Sequence, residues 1–193
     1  MKILKVLSLL FLLHPVVKGQ EFMQSAGVAF SIMNTQIANQ YEKYSSTLEF
    51  ANLTYFPRYI FTETENSSFS GGIPVGLGLG FASSGSGGGD GIYWGIDLPA
   101  VLDYNIGRRS TSNNDSKFGT YFGLGFGYTF TNWSDGTSTE HVNSYGPLLR
   151  TGVRFGVGDE QHPDWALSIG LSFKYGLEAQ NYKTYGISVM IDF

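Results

Sequence analysis

The sequence predicts an all-β chain: a single eight-stranded, antiparallel, up-and-down transmembrane β-barrel. Three observations predict it. Bulky apolar residues alternate with small or polar ones at period two along most of the chain. The face opposite the bulky one is mostly Gly, Ala and Ser, and polar connectors rich in turn residues separate the alternating runs. The composition agrees: 26 glycines and 16% aromatics in 193 residues, with only 15% charged residues and no cysteine. A disordered chain lacks aromatics at that level.

The first element is not part of the barrel. Lys2 and Lys5 precede an apolar run from Val6 to Leu13, and short or small residues lead to Gly19. That is the layout of a secretory signal peptide over residues 1–19, leaving a barrel domain over 20–193. The apolar run is too short to cross a bilayer as a helix. Cleavage there removes three lysines, so the remaining chain carries nine basic against sixteen acidic residues. Such an acidic chain is a poor nucleic-acid binder.

Eight strands follow, near 24–33, 47–61, 72–82, 91–105, 119–132, 144–157, 165–177 and 182–193. The first sets Ala26, Val28, Phe30 and Ile32 against Ser25, Gly27, Ala29 and Ser31. The second, "TLEFANLTYFPRYIF", is the least regular: its apolar face is expected to switch near Asn52, through a bulge or a partly non-strand start. The third sets Ile73, Val75, Leu77, Leu79 and Phe81 against Pro74, Gly76, Gly78, Gly80 and Ala82. In the fourth, Ile92, Trp94, Ile96, Leu98, Leu102 and Tyr104 oppose Tyr93, Gly95, Asp97, Pro99, Val101 and Asp103. The fifth sets Phe122, Leu124, Phe126 and Tyr128 against Tyr121, Gly123, Gly125 and Gly127. The sixth opposes Leu149, Val153 and Phe155 to Arg150, Gly152 and Arg154. The seventh alternates without exception from Trp165 to Glu178, and the eighth places Tyr185, Ile187, Val189, Ile191 and Phe193 on one face.

Side-chain size decides which face points inward. In a soluble barrel the bulky face would fill the core, leaving a glycine-rich face to water and weakening the strands for no gain. In a membrane barrel the bulky face meets lipid, and small residues relieve crowding in an interior only wide enough for side chains. Trp94, Trp133, Trp165, Tyr145, Tyr185 and Phe193 fall near strand ends, as interfacial girdles require. The seven charged residues Asp97, Asp103, Arg150, Arg154, Lys174, Glu178 and Asp192 fall on the small face, and Arg58 joins them. An arginine facing lipid at the midplane would cost about 2–4 kcal/mol, so this phase supports the same orientation.

The terminal Phe193, preceded at every second position by Ile191, Val189, Ile187 and Tyr185, resembles the C-terminal signature of bacterial outer-membrane proteins. The whole chain after residue 19 resembles the small eight-stranded outer-membrane barrels of the OmpX and OmpA-transmembrane type. "VKGQ" at the end of the leader resembles Bacteroidetes members of that group. The resemblance implies export to the outer membrane, insertion by the barrel-assembly machinery, a monomer surrounded by outer-membrane lipid, and no cofactor or metal.

Function is then narrowed by what the side chains offer. The leading expectation is a structural or surface-interaction barrel with a closed polar lumen and no catalysis, showing loops near 34–46, 83–90, 133–143 and 178–182 to a cell-surface ligand. The second is a narrow porin-like conduit for ions or small solutes through the charged lumen. The third is a lipid-modifying enzyme. After the leader only His141 and His162 remain, and His141 in "STEHVNS" is expected in a surface loop beside Glu140, Ser138 and Ser144. A loop is the wrong place for a base that must reach a lipid ester from a strand. "GLGLG" and "GLGFG" are strand interiors, since no Lys-Ser/Thr follows to hold a phosphate.

Overall fold

Successive side chains of an extended chain point to opposite faces, so period-two alternation makes strands that are greasy on one side. The computed structural model describes residues 21–38, 43–84, 91–134, 139–158, 162, 164–178 and 182–193. Within these the chain forms β1 (Phe22–Ala38), β2 (Lys43–Glu63), β3 (Ser67–Gly72), β4 (Val75–Ser84), β5 (Gly91–Asp97), β6 (Ala100–Gly107), β7 (Phe118–Ser134), β8 (Thr139–Gly156), β9 (Ala166–Tyr175) and β10 (Lys183–Asp192). Every pairing is antiparallel, and β1 pairs with both β2 and β10, which closes the ring and leaves no free sheet edge among the described residues.

Ten segments make eight strands. β2 pairs with β4 up to Tyr55↔Val75 and with β3 from Arg58↔Gly72, with the same register on both sides of the junction. Likewise β4–β5 ends at Gly76↔Asp97 and β3–β6 resumes at Gly72↔Val101, which sets Pro74 opposite Pro99. Proline has no N–H to give a ladder, so two facing prolines interrupt pairing without shifting it. The expected third and fourth strands are therefore each split. The third also starts earlier, at Ser67, because "SSFSGG" is too polar and glycine-rich to read as strand by hydrophobicity.

Two other expectations are corrected. The face of β2 does not switch at Asn52: Leu48, Phe50, Asn52, Phe56, Arg58 and Ile60 are all buried at even positions. Large apolar residues on the inner face imitate a switch, and the irregularity lies instead between Ile60 and Thr62. The loops expected at 34–46 and 133–143 are largely strand, as β1 and β2 pair out to Ala38↔Lys43 and β7 and β8 out to Ser134↔Thr139. Mostly polar pairs, such as Thr35↔Ser46 and Ser134↔Thr139, extend the ladder without an alternating apolar signal. Residues 1–20 and the centres of the four expected loops, 39–42, 85–90, 135–138 and 179–181, lie outside the described residues.

The molecule is apolar on the outside. Among the described residues 36 large apolar or aromatic side chains are exposed, against 13 buried hydrophobic ones. Leu53, Leu79, Phe81 and Leu102 are each more than 60% exposed. A soluble protein rarely shows a continuous apolar surface of that kind, whereas a bilayer requires it. Aromatic pairs band both ends: Phe22–Tyr59, Phe69–Tyr104 and Phe118–Phe155 near the chain termini, Trp94–Phe130, Phe126–Tyr145 and Phe173–Tyr185 towards the other end.

Candidate functional site

Inward-facing positions alternate along all eight strands, so the lumen is a stack of side-chain layers. At the end carrying the termini, Asp192 on β10 sits 2.9 Å from Arg154 Nε and 3.9 Å from Arg58 Nη2. It also accepts a hydrogen bond from the Ser25 hydroxyl. The Arg154–Asp192 contact is a close ion pair without hydrogen-bond alignment, since both atoms lack a hydrogen-bonded partner. Arg154 Nη1 donates to Asn105 Oδ1 at 3.0 Å, and Asn105 in turn donates to Ser70 Oγ at 2.9 Å and Ser68 Oγ at 3.2 Å.

One turn closes this end. Gly107 and Arg109 have positive φ, 70° and 58°, which folds the chain after β6 back over the mouth. Arg108, Arg109, Ser110 and Thr111 are buried there. The Arg109 carbonyl accepts from Arg58 and Arg154 at 3.5 Å each, and the Ser110 carbonyl accepts from Ser68 Oγ at 2.5 Å. The Arg109 side chain reaches Asp164 at 3.1 Å, and Glu21 accepts from the Ser112 amide at 2.8 Å. Burial is the main influence lowering the Arg109 pKa, opposed by Asp192 and Asp164, and the group stays charged as arginine does.

A mixed layer lies above. Arg150 Nε is 3.5 Å from the fully buried Asp103, and its guanidinium sits 4.8 Å from both the Phe56 and the Tyr121 ring. Arg154 also lies over the Tyr121 ring, at 4.7 Å. Phe56, Val101, Leu148 and Met190 form an apolar cluster at this height. Gly123 leaves room for Asp103, whose Oδ1 would lie 2.0 Å from a Cβ placed there.

Next come two small cavities, of about 70 and about 90 Å³, sharing Ala29, Asp97, Pro99, Leu148, Ser172 and Ser188. Lys174 Nζ donates to Thr129 Oγ1 at 2.5 Å, and that hydroxyl donates to Asp97 Oδ1 at 2.6 Å. Lys174 and Asp97 are thus joined through a threonine, not directly. The far layer is apolar again: Met33, Leu48, Phe50, Tyr93 and Tyr182, with Phe50 stacked on Tyr93 at 5.7 Å.

The sequence search found no recognisable family: no known family's profile matches, and no curated protein is detectably similar. Solved structures do match. Neisserial surface protein A (NspA) superposes with TM-score 0.52 at 15% identity, over 91% of this chain and 98% of its own. Ail, the attachment invasion locus protein of Yersinia pestis, gives 0.50 at 16%, over 92% and 100%. The outer membrane protein OprG from Pseudomonas aeruginosa gives 0.54 at 14%, over 91% and 96%. This is the fold of the small outer-membrane β-barrels.

Within that barrel, seven of the eight charged residues expected in the lumen line it: Arg58, Asp97, Asp103, Arg150, Arg154, Lys174 and Asp192. Glu178 does not join them. It lies beyond β9, where its carboxylate accepts from the amides of Tyr145 and Tyr182, both at 3.1 Å. The alternation that placed it inward stops with the strand at Tyr175. Sequence reasoning missed Arg108 and Arg109, because "GRRSTSNNDSK" reads as a solvated turn. It also missed Tyr121, Asn105, Ser25 and Thr129 as partners of the charges. The faint signal was their position on the inner face.

Tyr185, Ile187, Val189 and Phe193 are exposed on the lipid side of β10, with Ile191 partly covered. His141 is in β8, not a loop, exposed and stacked on Phe130 at 5.7 Å. Ser144 is fully buried on the opposite face, so the two cannot act together. Among the described residues no group of three His, Asp or Glu converges as a metal site.

Proposed function

We propose that the chain is a structural or surface-interaction barrel of the bacterial outer membrane, with a closed lumen and no catalysis. One observation carries this reading: each charged side chain of the lumen is held by partners inside it, between an apolar layer at one end and an inserted turn at the other. With eight strands the interior suits filling better than flow. The segments between the strands at the end away from the termini would meet a cell-surface ligand. The lipid-facing residues of β10, ending in Phe193, would be read by the barrel-assembly machinery, and residues 1–19 would direct export. Reconstitution into planar bilayers tests the closed lumen. The expected trace stays at the lipid baseline, and stable ion-selective steps would overturn the reading.

A narrow conduit is the second reading, favoured by the two polar cavities at mid-lumen. Flow would require Phe56, Val101, Leu148 and Met190 to part along with Arg58, Arg154 and Asp192. A lipid-modifying enzyme is the weakest reading, since Ser144, three residues from His141, faces the other way.

A further inference from the structure

The break between β3/β4 and β5/β6 has a counterpart on the outer wall. There a groove of about 570 Å³ runs past Gly71, Gly72, Ile73, Ala100 and Gly125 under the side chains of Phe61, Leu102 and Leu124. It is far larger than the 180 Å³ recess on the β8–β9 side of the belt. Gly72, Val101 and Gly125 belong by phase to the inner face, yet they line it, so the groove cuts to the level of the backbone. It starts two residues in from the Phe69↔Tyr104 pair of the aromatic band, at Gly71↔Leu102, and reaches Ala100↔Phe126 on the adjoining strands. Pro74 and Pro99 line the 90 Å³ cavity directly behind it. The ladder holds along the floor, through Gly71↔Leu102, Gly72↔Val101 and Val101↔Gly125, and stops beside it at Ile73–Pro74 and Leu98–Pro99.

We propose that this groove is a binding site for one acyl chain of a membrane lipid. The inference rests on the barrel lying in a bilayer. The groove is continuous with the lipid-facing belt, and its rim is apolar: Phe61, Ile73 and Leu102 are 49%, 50% and 62% exposed around it. Phe61 and Leu102 fold over Gly71, where a Cβ would meet them at 2.8 and 2.9 Å, and their exposed outer faces are left for a hydrocarbon chain to contact. The break in the ladder beside the groove, at Pro74 and Pro99, is tolerated within a membrane where it lines a polar cavity, and the 90 Å³ chamber meets both prolines. The chain seals the seam from outside, and the chamber hydrates it from within.

The test uses the full barrel with Trp94, Trp133 and Trp165 replaced by phenylalanine and one tryptophan returned, as Ile73→Trp at the groove or Leu79→Trp elsewhere on the belt. Each is titrated with brominated phosphatidylcholine in detergent micelles. The expected result is half-quenching of Ile73→Trp at a several-fold lower mole fraction of lipid than Leu79→Trp, with Ala100→Phe removing the difference. Leu124→Trp repeats the comparison from the opposite rim. Coincident titrations, or a difference that survives Ala100→Phe, overturn the site. A shielded Ile73→Trp together with cross-linked pairs shows a second copy in the groove, which also overturns it. If neither tryptophan is quenched even in vesicles of pure brominated lipid, the barrel is not in the bilayer and the underlying reading fails instead.

Discussion

Replacing Asp192 by asparagine removes the one carboxylate that serves two buried guanidiniums. Arg58 would be left with the Arg109 carbonyl at 3.5 Å and Met23 Sδ at 4.0 Å, and Arg154 with Asn105 at 3.0 Å and the same carbonyl. None of these is charged. Breaking a buried ion pair from one side costs about 3–5 kcal/mol, and a shared partner points to the upper end. Asparagine keeps the size and a contact with the Ser25 hydroxyl, which offsets about 1 kcal/mol. The expected loss is therefore about 4 kcal/mol, read as a fall in the urea midpoint of the detergent-solubilised barrel by tryptophan fluorescence. Adding Arg58→Met, beside Met23, removes one stranded charge and should recover about half of it. A loss below about 1 kcal/mol, the range of a solvated pair, would refute the reasoning.

Other substitutions probe the remaining layers. Lys174→Met strands Asp97 on Thr129 and is expected to cost about 3 kcal/mol in the same urea assay, with Asp97→Asn restoring most of it. Gly123→Ala pushes a methyl into Asp103 and should cost about 1–3 kcal/mol through overpacking. Leu53, 72% exposed halfway along β2, tests the outer face: Leu53→Arg should cost about 2–4 kcal/mol in lipid, whereas an exposed position in water would tolerate it. Glu21→Gln weakens the hold on Ser112, so a cysteine at Ser110 should react faster with a water-soluble thiol reagent than it does beside intact Glu21.

Period two made most of the barrel legible. β9 was plain because small residues separate most of its bulky ones, β10 because Gly186 and Ser188 do the same, and β7 because four glycines line its inner face. β2 was harder, since Phe50, Phe56 and Ile60 fill the lumen and make both faces apolar. The split at Pro74 and Pro99 depended on their facing each other, a matter of register between strands far apart in sequence. Of the lumen network, the phase of the charges could be read from the chain, but their partners could not. Asp192 meets Arg58 and Arg154 only once β10, β2 and β8 occupy one ring. The inserted turn was hidden for a related reason: Arg108 and Arg109 look solvated until the mouth they enter exists.

The central claim is that the bulky face meets lipid and the small face is enclosed. Nitroxide labels placed singly along β9 from Leu167 to Phe173, in reconstituted vesicles, test it most directly. The account predicts high oxygen and low aqueous-relaxant accessibility at 167, 169, 171 and 173, and protection from both at 168, 170 and 172. Odd positions shielded from oxygen, with even positions open to the aqueous relaxant, would mean that the sheet is closed the other way round.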